Sequence, residues 1–213
     1  MLIRKYAVTL SVLSVLVAIS PVSVADDLDV LMERLSGLDT LRGDYRQSTL
    51  DGSESTIQSV RGEFQLARPD RLYWYTNPPY EQAIYVDDDV IWIYDADLEQ
   101  ATQQPVTDQW EQSPALVLTG TRDQITERYQ VALTTSRGDS RSFELVPRTG
   151  GGSIESLTLS FNGKTPVGIR LIDSFNQTTV VNFENLELNA DLDDARFEFE
   201  PPEGVDVLRQ MAP

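Results

Sequence analysis

Neither histidine nor cysteine occurs in the 213 residues. That removes histidine general bases, Ser-His-Asp triads and the usual zinc sites, and leaves carboxylates and one arginine as the groups with chemistry to offer. The densest acidic run is Asp87-Asp88-Asp89. Its oxygens suit Ca²⁺, but no EF-hand spacing surrounds it, and it falls between two apolar segments where a turn is required, so it reads as a solvated turn. Asp95 and Asp97, with Glu99, offer the paired acids of a glycosidase. That chemistry depends on the separation of two carboxyl groups and one raised pKa, neither of which is set by spacing along the chain. Gly150-Gly151-Gly152 follows a strand but opens no helix, so it is a flexible turn and not a phosphate cradle. Arg68 has two readings. Pro69 turns it away from the α region, in a turn flanked by aromatic strands. It can pair on the surface with Asp70 or a nearby glutamate, or its rigid fork of five donors can hold several backbone carbonyls at once. No metal or cofactor is expected.

The elements that position these residues centre on Val60 to Thr102. Four apolar segments of about 5–7 residues, rich in Tyr, Trp, Ile and Val, follow one another as strands of a meander. They are broken at Arg68-Pro69-Asp70, Asn77-Pro78-Pro79 and the acidic run. Phe64, Leu66, Leu72, Trp74, Ile84, Val86 and Trp92 share one parity; Tyr73, Tyr75, Tyr85, Ile91 and Ile93 share the other. A sheet apolar on one face and aromatic on the other must curve around something or be covered, which points to an apolar interior and not a catalytic cleft. A single bulge would exchange the faces.

Before this core, Asp26 to Arg42 reads as a helix, with Leu28, Leu31, Leu35 and Leu38 in one stripe, Asp26 or Asp27 as cap and Gly43 as stop. After it, Ser113 and Pro114 begin a short helix through Leu116 to Leu118, closed by Gly120, and a second helical piece follows over Thr121 to Arg128. Tyr129–Thr135, Ser140–Pro147, Ile154–Phe161, Pro166–Asp173 and Thr178–Leu188 read as strands, and Phe197–Glu200 as a last short one. About eleven strands with short connections favour a mainly β fold, a single curved antiparallel sheet or partly open barrel.

Arg4 and Lys5, an apolar run of about 13 residues and Ser23-Val24-Ala25 have the form of a secretory signal peptide, giving residues 1–25 as a leader and 26–213 as one domain. The balance of 17 basic against 34 acidic residues, net −17, repels nucleic acid and anionic headgroups, so neither is an expected partner and no stable membrane insertion is expected.

Four pieces carry a resemblance. They are Gly62-x-Phe64-x-x-x-Arg68-Pro69-x-x-Leu72-x-Trp74; Val90-x-Trp92-x-Tyr94-Asp95-x-Asp97-Leu98-Glu99-Gln100-Ala101-Thr102; Pro114-Ala115-Leu116; and Phe197-x-Phe199-x-x-Pro202-x-Gly204-Val205-Asp206-Val207. Together, in order, they resemble the LolA family of periplasmic lipoprotein chaperones. The resemblance implies an unclosed antiparallel half-barrel under an α-helical lid, enclosing an apolar cavity for acyl chains. Phe64, Leu72, Trp74, Ile84, Val86 and Trp92 would line the cavity; Leu28, Leu31, Leu35, Leu38 and Leu116 would belong to the lid; and Arg68 would latch it through lid backbone. Leu72 departs from the pattern, since an aromatic is often found there. Implied partners are triacylated lipoproteins as cargo, an ATP-driven inner-membrane releasing complex and an outer-membrane lipoprotein receptor. The expected protein is a periplasmic monomer without enzymatic activity. With no cysteine, it lacks the acylated residue of that receptor. The alternative, a lipid- or lipoprotein-sensing module of the same half-barrel type, would be expected to carry a second domain.

Overall fold

The computed structural model describes residues 26–87, 89–106, 115–149 and 152–210. The leader read at 1–25, the Ser113-Pro114 cap, Asp88 and Gly150-Gly151 lie outside them. The first arm contains β1 (Thr40–Leu50), β2 (Thr56–Ala67), β3 (Arg71–Thr76), β4 (Gln82–Asp87), β5 (Val90–Asp95) and β6 (Gln100–Pro105). The second contains β7 (Tyr129–Arg137), β8 (Ser140–Pro147), β9 (Ile154–Asn162), β10 (Thr165–Asp173) and β11 (Thr178–Leu188), with β12 (Asp206–Arg209) returning to the first. All twelve form one sheet in the order β12-β6-β5-β4-β3-β2-β1-β11-β10-β9-β8-β7. Each arm is a meander of antiparallel neighbours, as short connections require, and the arms join where β1 pairs with β11. The order is linear, with β12 and β7 at its ends, so the sheet is unclosed.

Two expectations about this outline need correction. The first helix, α1, spans Asp27–Leu35 and does not reach Arg42. The Ser36 amide donates to the Met32 carbonyl (2.8 Å), that of Leu38 to Leu35 (3.0 Å), and β1 begins at Thr40. Tertiary contacts overrule the leucine spacing here. Asn189 takes the Asp39 amide at 2.9 Å and donates to the Gly37 carbonyl at 3.0 Å, while Leu41 pairs with Leu66 and Leu188 across the sheet. The second correction is at the tail. Phe197–Glu200 is not a strand; the last strand is Asp206–Arg209, parallel to β6, so twelve strands replace eleven and one pairing is not antiparallel.

Those tail residues instead cover the aromatic side of the sheet. Phe197 is buried with Ala67, Tyr73 and Ala83, and Phe199 stacks on Tyr85 with ring centroids 4.8 Å apart. Arg196 lies 4.1 Å over the Tyr73 ring and pairs with Glu63 at 2.6 Å; Arg71 lies 5.1 Å over Phe197 and pairs with Asp194 at 2.6 Å. This is the outer face.

The inner face carries the main core and the helices: α1, α2 (Leu116–Thr119) and α3 (Arg122–Arg128). Close approach within the sheet depends on Gly62, where a Cβ would collide with the Tyr75 carbonyl and come to 2.8 Å from the Tyr45 ring. Among the described residues no helix is long and apolar enough to cross a membrane.

Candidate functional site: the apolar inner face

Side chains alternate across a strand, so each hairpin decides which residues share a face. Ala67 pairs with Arg71 and Thr76 with Gln82, residues of equal numerical parity in each case. Phe64, Leu72, Trp74 and Val86 therefore stand together in the buried inner core, with Ile84 packed against it. At the next hairpin Asp87 pairs with Val90, an odd residue with an even one, which exchanges the parity. Ile91 and Ile93 consequently face the inner core. Trp92 does not: it sits opposite Tyr85 on the outer face, with its ring 5.4 Å from Phe199. The tight turn was the signal in the sequence for this exchange.

Aromatic contacts knit the inner face. Tyr45 stacks on Trp74 at 4.0 Å, Trp74 meets Phe64 at 5.4 Å, and Phe64 meets Phe183 of β11 at 5.1 Å. Tyr45 and Phe183 were not anticipated. Tyr45 shares the side of Leu41 by ordinary alternation, and a bulge in β11 between Glu184 and Glu187 brings Phe183, its partner, to the same side as Leu188. The second arm contributes Phe143, Leu159 and Ile169 among others, from strands whose alternation was visible in the sequence.

Against this surface lie the helix leucines. Leu31, Leu35, Leu38 and Leu116 are at most 1% exposed, and Leu28 packs against the cluster from its margin. Val117, Leu118 and Ile125 join them, so all three helices bury apolar side chains in the sheet's core. The helices are also tied to one another and to the second arm. Arg122 of α3 pairs with Asp29 of α1 at 2.7 Å, and the Asp27 carboxylate takes the Leu133 amide at 3.0 Å.

Arg68 meets α2 at its C-terminal end, where helix carbonyls lack partners within the helix. Its two terminal nitrogens donate to the carbonyls of Leu118 at 2.7 Å and Gly120 at 2.9 Å. The backbone-carbonyl reading thus describes its geometry. Asp70 instead accepts from Gln124 of α3 at 3.1 Å, and Gln124 closes a reciprocal capping box with Thr121. One turn of the sheet therefore holds the end of α2 and the start of α3. Burial pushes the Arg68 pKa below its ordinary value, and the charges of Asp70 and Asp39 oppose that shift.

The candidate acids sit elsewhere. Asp87 and Asp89 are exposed at the β4–β5 hairpin. Asp95 uses a carboxylate oxygen to take the Leu98 amide at 3.0 Å, and with Asp97 it borders a cleft of about 480 Å³ beyond the apolar core.

The family model described as outer membrane lipoprotein carrier protein LolA matches residues 36–200. The chain belongs to the LolA family. It is 35% identical to the outer-membrane lipoprotein carrier protein of Alcanivorax borkumensis over 98% of this chain and 99% of that one. It is 36% identical to the protein of that name from Chromohalobacter salexigens, over 87% of each. Among solved structures it is similar to an uncharacterized conserved protein from Thermus thermophilus, with a TM-score of 0.55 at 10% identity, covering 87% of this chain and 100% of that one. That last likeness is one of fold. In this LolA-family chain, the site is an apolar face buried beneath three helices and pinned at α2 by a single arginine.

Proposed function

We propose that the chain is a periplasmic carrier that takes lipoproteins by their acyl chains and delivers them to the outer membrane. Its curated relatives carry that name over nearly the whole chain. The observation that supports the mechanism best is the Arg68 contact: two hydrogen bonds from one side chain to the end of a helix that buries apolar residues in the core.

In this reading α1, α2 and α3 form a lid. Phe64, Leu72, Trp74, Ile84, Val86, Ile91 and Ile93 line the space beneath it, and cargo chains replace the helix leucines there. The energies are of compatible size. Each buried CH₂ of an acyl chain is worth about 0.8 kcal/mol, so one long chain exceeds about 10 kcal/mol. Hydrogen bonds to a charged group are worth about 1.5–3 kcal/mol each, so cargo can open what Arg68 holds shut, and loss of cargo lets it close. An ATP-driven inner-membrane complex would supply the cargo, an outer-membrane lipoprotein receptor would accept it, and the leader would direct the chain to the periplasm. No covalent step is needed.

The test is to purify the mature protein from cells expressing a tagged outer-membrane lipoprotein and to analyse the complex by mass spectrometry. A triacylated partner in one-to-one ratio, released to receptor and not to buffer, is expected. Recovery of an empty protein that binds only free lipid or glycan would overturn the trafficking role.

A further inference from the structure

The inner face changes character partway along its strands. Near the helices its alternate residues are apolar; two residues farther on they are polar. Tyr45 gives way to Gln47, Trp74 to Thr76, Ile93 to Asp95, Val60 to Gln58 and Ile84 to Gln82. All five polar residues line the 480 Å³ cleft. A hydrogen bond of 2.6 Å between the Tyr45 and Thr76 hydroxyls marks the boundary with the apolar core. At the rim stand Glu81 and Asp97, and the exposed Tyr80 and Leu98.

We propose that this cleft seats the first residues of polypeptide that follow the acylated residue of a bound lipoprotein, and that it disfavours acidic ones. The proposal rests on the carrier reading and adds the peptide part of the ligand to it. Acyl chains and polypeptide meet at one residue, so a surface receiving both must pass from apolar to amide-bonding within a strand step or two, about 7 Å each. This face does so. Gln47, Gln58 and Gln82 each carry a donor and an acceptor, the pair that any peptide bond can answer. Among the described residues none of these three side chains has a hydrogen-bond partner. A volume of 480 Å³ is in the range of sites that hold a small ligand. Among the described residues, every charged one lining the cleft is a carboxylate. Two of them are fixed: Glu81 accepts from the Tyr75 hydroxyl at 2.8 Å, and Asp95 from the Leu98 amide at 3.0 Å. A neutral or basic segment is matched there, and an acidic one is repelled.

The experiment measures equilibrium binding of three ligands to the mature protein: a triacylated peptide with a Ser-Ser-Lys-Lys tail, the same lipid with a Ser-Ser-Asp-Asp tail, and a neutral lipid of the same chains without peptide. The basic tail is expected to bind about fivefold tighter than the acidic one at low salt, the size of one favourable exposed charge pair. Salt should shrink the gap. A variant with Glu81→Gln, Asp95→Asn and Asp97→Asn should abolish it while leaving binding of the neutral lipid unchanged. Equal binding of the two tails, or a preference that survives the triple substitution, would overturn the proposal and leave the carrier reading intact. If neither lipopeptide binds, the carrier reading falls and this inference with it. Should the triple variant fold poorly, the tail and salt dependence of the unaltered protein decides the matter alone.

Discussion

Arg68→Leu isolates the contact that, in the proposed carrier, would hold the helices closed. The guanidinium gives 2.7 and 2.9 Å hydrogen bonds to two carbonyls at the end of α2. At about 1.5–3 kcal/mol for each bond to a charged group, their gross worth is about 3–6 kcal/mol. Removing a half-buried charge recovers part of that in desolvation, and the freed carbonyls regain water as α2 lifts. A net shift of about 2–4 kcal/mol toward the open form follows, roughly 30- to 1,000-fold in the opening equilibrium. The backbone of Arg68 keeps its own bond to the Asp39 carbonyl (2.8 Å), so the turn should persist. Hydrogen exchange at the α2 amides reads the opening directly, with global stability followed in parallel by urea. The variant should exchange faster in α2 and α3 than in the sheet, retain cargo and hand it on poorly to the receptor. Arg68→Lys should fall between, because an ammonium does not present the planar fork that spans two carbonyls. Unchanged α2 exchange, or normal delivery by the leucine variant, would refute the reasoning.

Other outcomes follow from the packing. Trp92→Ala should weaken the outer face, costing about 3 kcal/mol or more of stability, with acyl-chain affinity unchanged in protein that remains folded; Ile93→Ala should lower that affinity, and titration with a fluorescent lipid separates the two. Gly62→Ala should lower the urea midpoint sharply, since its Cβ meets the Tyr75 carbonyl and the Tyr45 ring. Tyr73 gives an alkaline prediction: burial pushes its pKa up to about 12, against 10 in the unfolded chain. Its contribution is therefore complete below pH 10 and lost as the pH rises toward about 12, because the unfolded chain sheds that proton first. Burial raises Tyr85 in the same direction. Urea midpoints measured through this range should fall, and less steeply in Tyr73→Phe.

The strands were legible because their signals are local: alternation, β-branched and aromatic content, and breaks at Arg68-Pro69-Asp70 and Asn77-Pro78-Pro79. The partners of those strands were not. Arg68 and Leu118 are 50 residues apart, and spacing alone favoured pairing the arginine with Asp70 or a nearby glutamate. Leucines at helical spacing continue from Leu35 through Leu38, but Asn189, about 150 residues away, ends the helix by bonding the turn. Trp92 was placed on the inner face by carrying parity through a turn that reverses it. Phe197 and Phe199 alternate like strand residues; what they pair with are rings of the outer face, which no window along the chain contains.

The seam between the arms has a kinetic consequence. Every other antiparallel pairing joins strands adjacent in sequence, but β1 must find β11, with Leu41 opposite Leu188. Local hairpins form in microseconds, whereas closing a loop of nearly 150 residues carries an entropy cost that only the completed seam repays. The inner face, which needs Tyr45 and Phe183 side by side, is thus assembled last. In the proposed carrier, a chain threading through a membrane pore with β1 leading would not complete this face until β11 had emerged, and so would reach the far side before it could capture anything greasy on the way.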